Sequence, residues 1–407
     1  MGHKQITNLN WIQTRCSIVK PQKETVKTCT KNWWARATQS TLFVLLLALQ
    51  GAPSSAIAAD LQFGKVGEPV QLVVGYQPYY TASWSGVVMK DKKFYEKYLP
   101  KGSTVEFSMG LQGAIIVNAM LAGKQHIGYV GDMPAIVSTT KQEVADIRIV
   151  ATLGVGTDQC NIFLARPDAP TYASQKDAIK WLHGKQVAVP KGSCADRFAQ
   201  AVFKKENVEP AAYLNQNFEV ITSGFRAGKL DAAVIWEPTA SRLVQEGLAK
   251  RIASGTAVNE KDGGYMTMRH DLIKQRPDVV KAWLNAELDA QLFLADSKNA
   301  KEVTRMAMEQ TSGFQEKMLW AAMYGQNPEA VGGTPVRLLL PFGITPDVTE
   351  FLNEATTFLH SIKSINVAKM RPEAVMPEFA AAALKERGLS SPVGSVKALP
   401  DSEYKGK

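Results

Sequence analysis

From residue 70 onward the chain alternates short runs rich in β-branched residues with segments of helical period, and that alternation limits the fold more than any other feature. In a first set, "VQLVVGY" (70–76) reads as a strand and "GVVMKDKKFYEKYL" (86–99) as one amphipathic helix. "STVEFSM" (103–109) is the next strand, and "QGAIIVNAMLAG" (112–123) is a helix that Gly123 is placed to stop. "HIGYV" and "IRIVATL" are further strands around "DMPAIVSTT". A second set begins at "CNIFLAR" (160–166) and runs through "QKDAIKWLHG", "KQVAVP", "ADRFAQAVFKKEN", "FEVI" in a strand's place, "DAAVIW" and "PTASRLVQEGL". Such alternation implies parallel βαβ units covered by helices.

After the strand "GYMTMR" (264–269) the pattern turns helical, with a long helix over 277–296 led by Pro277 and further helices near 298–326, 347–362 and 376–387. Residues 389–407 are polar, carry two prolines and are expected to be a flexible tail. No internal repeat interrupts the order. A 407-residue chain has room for two or three domains of about 100 to 200 residues. The expected fold class is therefore α/β, two lobes with a helical C-terminal part. One lobe takes 60–157 and a return segment over 259–388, and the other takes 158–258. Crossings near 154–160 and 255–265 would form a two-segment hinge, and the cleft between the lobes is the expected ligand site.

Residues 1–59 stand apart. Seven basic residues against the single Glu24 precede "TLFVLLLALQGA", which small residues follow. That order is a secretory signal peptide with cleavage near Ala58 or Ala59, and its apolar run is shorter than the about 20 residues a membrane span needs. The whole chain has 47 basic and 38 acidic residues; without the leader it has 40 against 37. So small a net charge gives no reason to invoke nucleic acid or an anionic membrane. Cys16 and Cys29 leave with the leader, so Cys160 and Cys194 are the cysteines of an exported, oxidising compartment.

Five strand-to-helix corners could hold a ligand: "GYQPYY" (75–80), "MGLQGA" (109–114), "GYVGDMP" (128–134), "PKGSCAD" (190–196) and "WEP" (236–238). Helix N-termini at such corners present unpaired N–H groups and favour anions. Ser193 either caps its helix or donates to the ligand while the N–H groups of Cys194 and Ala195 cradle an anion; Gly192, which lets a ligand approach the backbone, favours the second reading. Cys194 at a helix start would have the lowered pKa of a nucleophile, but His183 and His126 lie at the wrong ends of their strands to serve as its base. No Gly-x-Ser-x-Gly, His-Glu-x-x-His or paired-cysteine metal spacing occurs. The residues call for no metal, no cofactor and no catalysis. Cys160 and Cys194 meet beside the cleft if their strands are antiparallel neighbours, and are otherwise two separate buried thiols.

The stretches "LQGAIIVNAMLAGKQHIGYVGDMPAIV", "KQVAVPKGSCADRFAQAVF", "LDAAVIWEPTASRLV" and "MRHDLIKQRPDVVKAWLNAELDAQ" run in an order that resembles the periplasmic substrate-binding proteins of ABC transporters, in the NitT/TauT group of taurine, aliphatic sulfonate and nitrate or bicarbonate binders. The resemblance implies the type II periplasmic binding fold, hinge closure on a small ligand, and delivery by a monomer to a permease with a cytoplasmic ATPase. By the same resemblance, ligand contacts fall on Gln77, Tyr79, Gln112, Gly113, Gly131, Asp132, Ser193, Cys194, Trp236, Glu237 and Tyr265, with the N–H of Ala195 beside them. Gln112 would bind anionic oxygens, Trp236, Tyr79 and Tyr265 would wall the pocket, and Asp132 and Glu237 would either cap their helices or meet an amine or hydroxyl. Taurine binders of this group carry an acidic residue for the amine where Gly263 and Gly264 stand here, with Asp262 only nearby. Taurine is therefore disfavoured, and the loop "PYYTASW" suggests a larger or aromatic ligand. An enzyme of the thiamine-precursor type on the same fold would need a cysteine cluster and an active histidine, and an exported ligand sensor would share the cleft.

Overall fold

A computed structural model describes residues 60–406; the leader and its cleavage site lie outside the described residues. The first part of the chain lays down strands β1 (Gln71–Tyr76), β2 (Thr104–Met109), β3 (Ile127–Gly131) and β4 (Ile147–Gly156), with helices α1 (Ser85–Lys92), α2 (Gly113–Leu121) and α3 (Asp132–Thr139) between them. It then crosses to β5 (Ile162–Ala165), β6 (Gln186–Val189), β7 (Ala212–Asn215), β8 (Ala232–Ile235) and β9 (Lys250–Ser254), interleaved with α4 (Gln175–Trp181), α5 (Cys194–Glu206), α6 (Phe218–Arg226) and α7 (Thr239–Gln245). The return segment supplies β10 (Asp262–Arg269), β11 (Val336–Leu340) and β12 (Gly394–Lys397). Its helices are α8 (His270–Gln275), α9 (Pro277–Ala295), α10 (Ala300–Glu309), α11 (Glu316–Met323), α12 (Pro346–Ser361) and α13 (Pro377–Glu386).

These strands form two sheets, ordered β12-β11-β4-β10-β3-β1-β2 and β7-β6-β8-β5-β9. We refer to each sheet with its helices as a lobe. Neither sheet is the purely parallel one the alternation implied. β1, β2 and β3 run parallel, but β10 lies antiparallel between β3 and β4. In the second sheet β6, β7 and β8 are parallel, and β5 is antiparallel to both β8 and β9. The reason is connectivity: β5 and β10 enter their sheets from the other lobe, so no crossover helix joins either to a preceding strand of its own sheet and forces parallel pairing.

Several boundaries differ from the sequence expectation. The single helix expected over 86–99 ends at Lys93, whose left-handed conformation (φ 53°) lets its N–H cap the Met89 carbonyl. "FEVI" begins helix α6: the Asn217 side chain accepts from the Val220 N–H at 2.9 Å, a capping bond no local apolar pattern shows. The helix expected over 298–326 is two helices, parted at Gly313 with its φ of +77°. Within the expected flexible tail, β12 pairs antiparallel with β11 and buries Val396.

The long helix α9 covers the first sheet and brings Glu287 into its core. Glu287 Oε2 accepts from the Tyr129 hydroxyl at 2.9 Å and Oε1 from the Gln291 amide at 3.0 Å. Burial pushes its carboxyl from 4.5 up to about 7, against those hydrogen bonds. The folded state therefore holds a proton that the unfolded chain has released, and the carboxyl's contribution to stability falls as pH rises from about 4.5 to about 7 and is level above. Glu287→Gln should gain on the wild type by on the order of 3 kcal/mol between pH 4.5 and pH 8, measured by urea unfolding at each pH. An equal difference at both pH values would refute the assignment.

Candidate functional site

A cavity of about 300 Å³ opens where the strand ends of the two sheets face each other. The first lobe lines it with Gln77 and Tyr80 from the loop after β1, with Gln112, Gly113, Ala114, Val117 and Asn118 from α2, and with Gly131, Met133, Pro134 and Val137 from α3. The second lobe contributes Pro190, Lys191, Gly192, Ser193 and Cys194 at the start of α5, and Trp236 after β8. Ser364, beyond α12, completes it. Three helix N-termini thus share one space. Neither Gln112 nor Gly131 uses a side chain to cap its helix, so the start of α2 has no side-chain cap, while in α3 the Met133 N–H is taken by Asp132 Oδ1 at 2.7 Å. Gly113 permits that convergence: a Cβ there would lie 2.4 Å from Cγ of Pro134.

Of the residues expected at the site, Gln77, Gln112, Gly113, Gly131, Ser193, Cys194 and Trp236 line the cavity, and Tyr79, Asp132, Ala195, Glu237 and Tyr265 do not. Ser193 takes the capping role. Its hydroxyl accepts from the Asp196 N–H at 3.3 Å and donates to the Pro190 carbonyl at 2.6 Å, which commits its proton. Asp196 in turn accepts from the Gly192 N–H at 2.8 Å, where a φ of +77° requires glycine. Gln77 donates to the Tyr129 carbonyl at 3.3 Å, and Trp236 donates to the Tyr79 carbonyl at 3.0 Å while its ring borders the cavity.

Tyr79 pins the lobes together instead of walling the pocket. Its ring stacks on Phe218 of the second lobe at 6.4 Å, and its hydroxyl accepts from the Ser312 N–H at 3.0 Å. Glu237 accepts from the backbone and hydroxyl of Ser241 and lies 3.5 Å from Arg251 and 3.7 Å from Arg337, so it has charge partners of its own. Tyr265 is fully buried in the apolar layer between α3 and α12, and burial raises its hydroxyl well above the usual tyrosine range. Ala195 is buried under the α5 turn. Asp132 is buried one residue below the wall; burial lifts its carboxyl to about 6, opposed by the nearby Arg197 charge.

Tyr80, Lys191 and Asn118 were missed in the sequence. Tyr80 neighbours Tyr79, and only tertiary packing decides which ring faces the cavity. Lys191 is the one charged side chain on the wall, and its ammonium rests 5.0 Å from the centre of the Tyr213 ring. A lysine in a turn before a helix N-terminus was a readable signal for an anion. None of His126, His183, His270 and His360 borders the cavity.

Cys160 and Cys194 are joined in a disulfide with Cα atoms 6.0 Å apart. The strand geometry that would bring them together does not hold, because β8 lies between β5 and β6. They meet instead because Cys160 precedes β5 in the crossing and Cys194 opens α5 above it. Among the described residues no group of three or more His, Cys, Asp or Glu side chains could hold a metal ion, and no helix is long and apolar enough to cross a membrane.

Residues 65–308 match the model of the NMT1-like family, which is more than half of the chain. Among curated proteins, the taurine-binding periplasmic protein of Escherichia coli K12 is 24% identical over 253 residues, 59% of this chain and 74% of that protein. Among solved structures, the alkanesulfonate-binding protein SsuA from Xanthomonas axonopodis pv. citri, bound to MOPS, superposes with a TM-score of 0.61 at 20% identity, over 76% of this chain and 99% of that one. The desulfurization enzyme DSZB superposes with a TM-score of 0.55 at 15% identity, over 78% and 99%. At these identities the structural likeness establishes the fold, which carries both binding proteins and an enzyme.

The disulfide closes a loop of 34 residues and should stabilise the fold by about 4 kcal/mol in the chain-entropy description. Cys160→Ala combined with Cys194→Ala should lower the free energy of urea unfolding by an amount of that order. Titration of the denatured, unreduced mature chain should find no free thiol, and two thiols would refute the bridge.

Proposed function

The chain belongs to the NMT1-like family, and on that premise we propose that it is the periplasmic solute-binding component of an ABC importer. Its lobes, 60–157 with 259–388 and 158–258, close as a monomer on a small anionic organic ligand and deliver it to a permease coupled to a cytoplasmic ATPase. The leader over 1–59 supports the location. The observation that carries the reading is the cavity, where the N-termini of α2, α3 and α5 and the single charge of Lys191 meet walls of Val117, Val137, Pro134, Pro190 and Trp236. N–H groups at helix starts suit an oxyanion, and the apolar walls suit its tail.

The ligand class follows from what the wall lacks. No carboxylate lines the cavity, so an ammonium group would enter without a counter-charge. An alkyl- or arylsulfonate, or a carboxylate of similar shape, fits better than taurine. Catalysis finds no support: Cys194 is tied to Cys160, and no histidine borders the cavity to act as a base.

A thermal-shift series should test this. Butane-1-sulfonate or benzenesulfonate at about 100 times its Kd stabilises the folded state by about 2.7 kcal/mol and raises Tm accordingly, while taurine shifts it less. Lys191→Ala and Gln112→Ala should each weaken the best ligand about tenfold or less, in keeping with one charge-assisted hydrogen bond. Ser193→Ala should cost about 1 kcal/mol of stability as a lost cap, with affinity nearly kept. No shift with sulfonates, carboxylates or nitrate would overturn the reading.

A further inference from the structure

Arg197 sits one turn into α5, with its N–H bonded to the Ser193 carbonyl at 3.1 Å, and its side chain leaves the second lobe altogether. Nη1 donates to Glu260 Oε2 at 2.6 Å and Nη2 to the Lys261 carbonyl, both in the second crossing. The guanidinium lies 4.7 Å from the centre of the Phe351 ring, on α12 of the first lobe. Nη2 stands 3.9 Å from Oδ2 of Asp132, the first residue of α3. Both partners are buried, Asp132 fully.

The pair is close without being bonded. Asp132 Oδ2 and Arg197 Nε each have no hydrogen-bond partner, although both are shielded from water. An unpaired buried carboxylate oxygen is costly, so an approach of the lobes by about 1 Å that turned the 3.9 Å between Nη2 and Oδ2 into a hydrogen bond, pairing Asp132 Oδ2, would be favoured. The two residues also sit at informative places. Asp132 opens the helix whose Gly131, Met133 and Pro134 line the cavity, and Arg197 rides the helix whose Ser193 and Cys194 line it from the other side. The distance between them therefore follows the distance between the two helix N-termini that would flank an anion.

We propose that Arg197 and Asp132 form an inter-lobe clasp that sets the spacing of the α3 and α5 N-termini, making Arg197 a positioning residue for ligand capture. The clasp rests on the solute-binding reading for its role but not for its existence. Phe351 guides the guanidinium by stacking, and Glu260 holds it pointed across the cleft. Arginine suits the task because its fork can keep the Glu260 and Lys261 contacts while offering another N–H to Asp132.

The test pairs a measurement without ligand with one that uses butane-1-sulfonate. Spin labels at the exposed positions of Glu219→Cys and Glu350→Cys report the separation of the lobes in the chain from residue 60 onward, whose own cysteines, Cys160 and Cys194, are bonded to each other. In the ligand-free protein, Arg197→Met and Asp132→Asn should each move the distance distribution to longer values, and Arg197→Lys should move it less. With butane-1-sulfonate, each neutral variant should lose about tenfold or more in affinity, and the double variant should lose little beyond the worse single one, as coupled partners do. Asp132→Asn changes no volume, so it carries the test if Arg197→Met fails to fold. Unchanged distances in Asp132→Asn, or losses that add in the double variant, would overturn the clasp. If butane-1-sulfonate leaves the wild type unbound, the ligand class proposed above falls, and the ligand-free distances still decide for or against the clasp.

Discussion

Asp262 is fully buried where the chain re-enters the first sheet, and its two oxygens hold groups from different parts of the molecule. Oδ1 accepts from the Tyr80 hydroxyl at 3.0 Å, and Oδ2 from the Cys160 N–H at 2.9 Å. Tyr80 borders the cavity from the first lobe, and Cys160 is bonded covalently to Cys194, which borders it from the second. One line of contacts thus runs from wall to wall through both crossings. Burial lifts the Asp262 carboxyl to about 7, with Asp132 and Asp158 adding to the rise and the two hydrogen bonds opposing it. The position is held because the fold needs an acceptor at that point for two donors that would otherwise be buried unpaired.

A second buried group braces the same junction. Asp158 in the first crossing meets Arg337 of β11 and lies 3.2 Å from Arg251 of β9, and both arginines approach Glu237. Two positive and two negative charges balance with little exposure. Removing one partner would strand the others in a low dielectric, so each is hard to replace singly. Glu237 thus has charge and hydrogen-bond partners of its own within the protein, although it follows the wall residue Trp236. The backbone shares the load: the Gly255 N–H reaches the carbonyls of Thr157 and Asn161 at 2.8 and 3.0 Å, tying the two crossings to each other.

Local signals that need no tertiary partner were legible. Pro277 opens α9, and the helices expected near 347–362 and 376–387 agree closely with α12 and α13. Signals that depend on a distant partner were not. β9 carries Lys250 and Arg251 and reads as polar, yet pairs with β5. β12 is a strand because β11 offers it an edge, and "FEVI" is helical because Asn217 caps it. At the site, the corners around Gln112, Gly131 and Ser193 were readable as helix starts. The roles of Ser193, Tyr79 and Glu237 were not, since each depends on whether another part of the chain claims the polar atom first.

By itself the sequence determined the α/β class, the order of most elements and the helix starts that could face an anion, because period, caps and turn residues act over a few neighbours. It also carried the Cys160 and Cys194 pair, without a correct route for joining them. The tertiary structure alone decided that both sheets are mixed, that the disulfide spans the crossing and α5, and that Tyr80 and Lys191 take wall places. It alone brought Arg197 of one lobe to Asp132 of the other. The physical reason is one of range: a side chain's period reports whether its own element is buried, whereas a cavity is made by the register of elements whose contacts lie far apart in the chain.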